Sequence, residues 1–146
     1  MFKLPRFKKP KDTIIDFQFG GFYAVKDEDG YGVIRLLDLP GDSYHYQMFD
    51  ATFPKVPSFE QIESLKPFIL HVPMEIAALI GKEITLIGHR PLTSDDLQGY
   101  AFYLEEMGAD EQGIKAHFEQ LISLSANQPS KMRLFIENGE VLAEHL

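Results

Sequence analysis

His71 and His89 stand at the ends of two apolar stretches, and Glu75 follows His71 by four residues. Imidazoles and a carboxylate are the groups that ligate a metal or line a polar pocket, so these three form one candidate set, provided the strands that carry them are neighbours. A histidine at a strand end more commonly serves as a hydrogen-bonded structural residue. His45, His117 and His145 fall on other segments, and no HExxH pattern or paired-ligand spacing occurs. Ser43 and Ser94 lack the Gly-x-Ser-x-Gly context of an activated nucleophile. Gly30-Tyr31-Gly32 is half of a dinucleotide fingerprint with no helix after it. Asp95/Asp96 and Glu105/Glu106 are adjacent in sequence, and neighbours on a helix point about 100° apart, which suits a solvated face better than an acid/base pair. The expectation is therefore a protein that is not an enzyme and needs no metal or cofactor.

A second set suits binding. Asp27, Glu28 and Asp29 crowd three carboxylates into one turn beside Tyr31, and Asp42 precedes Tyr44 and Tyr46. Rings anchor protein interfaces and acids rim them, so these seven residues are the expected contacts to a cationic protein partner.

The charge distribution points the same way. Lys3, Arg6, Lys8, Lys9 and Lys11 give the first twelve residues a net +4, whereas from Thr13 onward nine basic residues face twenty-one acidic ones, a net −12. Such a body repels phosphates and argues against nucleic acid as a partner. It would speed encounter with a basic protein. No apolar run approaches the roughly 18 residues of a membrane helix, so no membrane association is expected. The chain has no cysteine and its first residues lack the apolar core of a secretory signal, which together fit a cytoplasmic protein.

Positioning these groups requires a scaffold. At 146 residues and 45% hydrophobic content, one domain with its own core is expected. Residues 1–12, with Pro5 and Pro10 among the cations, read as a basic arm, and 13–146 as one α+β domain. Period-two alternation predicts a strand over 13–19, a hairpin over 20–38 turning at Asp27-Glu28-Asp29-Gly30, and a strand over 44–49. In that last strand Tyr44, Tyr46 and Met48 share one face and His45, Gln47 and Phe49 the other. Ser58 and Gln61 make a capping box for a short helix. Strands follow over 67–72, limited to an edge or ended by Pro73, and over 83–89, with Ile84, Leu86 and Gly88 on one face; one or two helical turns separate them, closed by Gly81. The first four strands, joined by tight turns, suggest a bent antiparallel sheet or partly open barrel in the N-terminal half. From Ser94 the period becomes helical: Leu97, Tyr100, Leu104 and Met107 mark one helix ending at Gly108, and Ile114, Phe118, Leu121 and Ile122 another beginning near Asp110. Asn138-Gly139 predicts a final β-hairpin.

The succession of a Gly-Phe-Tyr-Ala-Val strand, a Gly-Val-Ile-Arg strand, the capped segment PSFEQIESLKPFIL and then GKEITLIGHRPL resembles the bacterial immunity proteins of polymorphic-toxin systems, in particular immunity protein twenty-six. The likeness spans Phe19 to Leu92. Ile84 stands where that family carries an aromatic residue, and Leu86-Ile87-Gly88 supplies the rest of the motif. The resemblance implies a cytoplasmic protein that neutralises a toxin by direct binding and catalyses nothing itself. The alternative is a small-ligand protein or enzyme whose pocket, between sheet and helices, is lined by His71, His89 and Glu75. Oligomeric state is left open.

Overall fold

The computed structural model describes residues 12–41 and 43–146, so the basic residues expected to form an arm lie outside it, as does Asp42. The alternating segments form strands β1 (Thr13–Phe17), β2 (Gly21–Asp27), β3 (Gly30–Asp38), β4 (Ser43–Phe53), β5 (Ile69–Glu75), β6 (Ile84–His89), β7 (Ser130–Glu137) and β8 (Glu140–His145). Helices α1 (Phe59–Ile62), α2 (Gln98–Glu106) and α3 (Glu111–Leu124) complete the α+β fold, with a 3-10 turn at Ile76–Leu79.

Two antiparallel sheets form, and neither closes into a barrel. One has the order β5-β4-β3-β2-β6; the other has the order β1-β7-β8. The expected N-terminal meander thus loses its first strand. β1 leaves at Gly20, whose φ is 77°, and pairs with β7 of the C-terminal hairpin, Ile15 opposite Met132. A Cβ at Gly20 would sit 2.5 Å from the Arg90 carbonyl oxygen, so glycine is required at this exit.

The arrangement has three layers. Ile15, Met132 and Leu134 of the smaller sheet meet Tyr23, Leu36, Tyr44 and Tyr46 of the larger one, with Ile76 and Leu79 of the 3-10 turn. On the opposite face of the larger sheet, Leu37 packs with Leu92, Leu97, Tyr100 and Leu121 under α2 and α3. Phe22, Val33 and Phe49 pack with Ile62 of α1 on that same face. The sheet is therefore covered on both sides, and its polar core residues must find partners inside. Arg35 does so: its guanidinium lies 2.8 Å from Asp96 Oδ1 and donates to the carbonyls of Gly20 and Arg90 at 3.2 and 2.9 Å.

The hairpin turns fall where the residue types place them. Ser58 and Gln61 exchange both bonds of the capping box, Gly108 closes α2 with φ 92°, and Asn138 (φ 52°) and Gly139 (φ 76°) form the final turn. Of the two expectations for Pro73, the edge holds and the end does not: β5 is an edge strand that runs through Pro73 to Glu75, with Pro73 opposite His45. β6 departs from simple alternation. A bulge between its pairings with Phe22 and Tyr23 turns Gly88 away from Ile84 and Leu86 and onto Phe59, whose ring atoms would meet a Cβ there at 2.6 Å.

Candidate functional site

The titratable groups that converge are not the set the spacing suggested. β5 and β6 are opposite edges of the larger sheet, so β4, β3 and β2 separate His71 from His89. His89 Nε2 instead lies 2.9 Å from the Ser125 carbonyl at the end of α3. Glu75 is exposed at the far end of β5, paired with Ser43. Among the described residues His71, His89 and Glu75 therefore do not converge.

His71 meets His45 instead, because the strands carrying them are adjacent. His45 Nδ1 and His71 Nε2 are 2.7 Å apart, a distance that holds one shared proton. The two imidazoles stack with the ring of Tyr100 at centroid distances of 4.5 Å (His45) and 5.0 Å (His71). Burial holds the His71 imidazole down at about 4, and the adjacent His45 adds to the effect. Burial also lowers His45, with Asp38 opposing and His117 reinforcing the shift.

Asp38 is the hub. A bulge between the pairings Leu36 with Tyr46 and Asp38 with His45 makes Leu37 the extra residue, so Asp38 turns to the helical face instead of the sheet–sheet interface. There its Oδ2 accepts from the Tyr100 hydroxyl at 2.7 Å and from His117 Nε2 at 2.6 Å, while Oδ1 accepts from the Leu39 N–H at 2.7 Å. Burial and this carboxylate raise the Tyr100 hydroxyl far above its ordinary range, so it remains a donor. A carboxylate only accepts, which places the proton of a neutral His117 on Nε2 and leaves Nδ1 as the basic nitrogen. Beside it is a depression of about 450 Å³ bordered by Pro40, Tyr103, Met107, Ile114 and His117. Asp38 thus orients both the His117 imidazole and the Tyr100 hydroxyl.

The expected binding residues divide. Asp27, Glu28 and Asp29 are exposed at the tip of the β2–β3 hairpin, where Asp27 Oδ1 accepts from the Asp29 N–H at 2.8 Å. Tyr31 is half-buried, and its hydroxyl donates to Glu83 at 3.2 Å. Tyr44 and Tyr46 do not reach solvent: each is 5% exposed, and they stack at 5.0 Å between the two sheets. Alternation placed them correctly on one face, but a second sheet covers that face.

The sequence signal missed Asp38, Tyr100 and His117 because their meeting depends on one bulge and on where α2 and α3 cross the sheet. It also missed Phe68, Leu70 and Phe102, which are 66, 50 and 56% exposed. Searches of known proteins find no significant match to a family model, a curated protein or a solved structure.

Proposed function

We propose that this protein is a bacterial immunity protein, a non-catalytic binder that neutralises a basic toxin domain by covering it in the cytoplasm. The observation that carries this reading is the coexistence of large apolar side chains outside the core, Phe68, Leu70 and Phe102 among them, with a body of net charge −12. Desolvated rings and aliphatic groups supply most of the affinity of a protein interface, and a surrounding field of opposite sign raises the association rate. The likeness of Phe19 to Leu92 to immunity protein twenty-six supports the same class.

The test is calorimetric titration with the polypeptide encoded by the reading frame adjoining this gene. Saturable 1:1 binding that abolishes the toxicity of that polypeptide is expected. No heat of binding and no protection would overturn the reading.

A small-ligand protein or enzyme is the second reading, favoured by the convergence of Asp38, Tyr100 and His117 beside an open depression. It predicts a compound whose binding is lost in His117→Ala while the fold is kept.

A further inference from the structure

A bulge between the pairings Tyr46 with Val72 and Met48 with Ile69 lies across from Leu70 and His71. Val72 stays with the sheet–sheet core, and Leu70 joins His71 on the side of α2. There α2 comes so close that a Cβ on Gly99 would lie 2.6 Å from Leu70 Cβ and 3.1 Å from its carbonyl carbon. Phe102 is one turn further along the same helical face, and Glu105 and Glu106 follow it at the spacings that place side chains side by side. The result is an edge strand and a helix that present Leu70 and Phe102 outward, with Phe68 at the entry to the strand. Neither β5 nor α2 contains a lysine or arginine, whereas they contribute Glu75, Glu105 and Glu106.

Exposed apolar positions on the smaller sheet lack this combination. Ile14 and Leu142 lie on the smaller sheet, whose β7 carries Lys131 and Arg133. At the β2–β3 tip, Glu83 is already engaged by Lys26 at 3.8 Å and by Tyr31.

We propose that the outer edge of β5 and the adjoining face of α2 form the docking surface for a cationic protein, with Phe68, Leu70 and Phe102 as its apolar anchors and Glu105 and Glu106 facing the partner's lysines and arginines. This rests on the reading of the protein as a binder of a basic toxin and assigns that activity a surface away from the hairpin tip.

Hydrogen exchange read by mass spectrometry, on the full chain with and without the polypeptide of the adjoining reading frame, tests it. Slowed exchange over 68–75 and 98–106 is expected. Phe102→Ser and Phe68→Ser remove largely exposed side chains, so the melting temperature should hold while affinity falls by about tenfold or more. The double variant Glu105→Lys, Glu106→Lys should slow association with little change in dissociation. Protection confined to 26–31, with wild-type affinity in both Ser variants, would overturn the surface and leave the binding function intact. Light scattering that shows the patch joining two copies of this chain would also overturn it. If the wild-type chain forms no complex, the binding reading itself fails and the surface with it.

Discussion

His117 Nε2 lies 2.6 Å from Asp38 Oδ2 and ties α3 to the end of β3. The same carboxylate holds the Tyr100 hydroxyl of α2 and the Leu39 amide, so one buried acid joins two helices and a strand. Asp38→Ala leaves those donors without their acceptor and should cost about 2–3 kcal/mol, read as a lower urea midpoint at constant slope. An unchanged midpoint would mean that water replaces the carboxylate at no cost.

The His45–His71 pair gives stability a pH dependence of defined sign. Folded His71 stays neutral down to about 4, whereas the unfolded side chain titrates at its ordinary 6.5. Between these values the unfolded chain binds the extra proton. The contribution of His71 is therefore complete above 6.5, declines as pH falls toward 4 and changes no further below that. Because the pair is partly accessible, the loss should be on the order of 1 kcal/mol. Urea titrations across this window check the slope, and His71→Phe, which keeps a ring against Tyr100, should flatten it. A slope that persists undiminished in that variant would place its origin elsewhere.

Gly99→Ala sets two effects against each other. Alanine favours a helix interior by about 1 kcal/mol over glycine. Its methyl would collide with Leu70, including backbone atoms that cannot swing aside, and overpacking of that kind costs about 1–3 kcal/mol. The clash should win, lowering the melting temperature and loosening α2 from β5. A stabilised variant would show that the helix can lift away freely.

Local features are legible in the sequence and long-range ones are not. Turns and caps were readable because they are decided locally: Ser58 with Gln61, Asn138-Gly139 and Gly108 need only their neighbours. Strand positions were readable from alternation, as in Tyr44/Tyr46 against His45/Gln47, but their exposure was not. Both faces of β4 are covered, one by β1 and β7 arriving from the chain ends. The site was least legible. Bulges beside Leu37 and Leu70 re-aim Asp38 and Leu70, and a one-residue shift of register moves a side chain to the opposite face. Strand order, which separates His71 from His89 and brings it to His45, is likewise set by pairings between distant segments.

If an acidic surface captures a cationic macromolecule, association must weaken as salt screens the field between them. Stopped-flow association with the polypeptide of the adjoining reading frame, followed as ionic strength rises from about 0.01 M to about 1 M, tests it most directly because screening shortens from about 30 Å to about 3 Å over that range. An association rate that falls by about tenfold or more, with dissociation little changed, is the predicted result. A rate indifferent to salt, or the absence of any complex at either extreme, would contradict it.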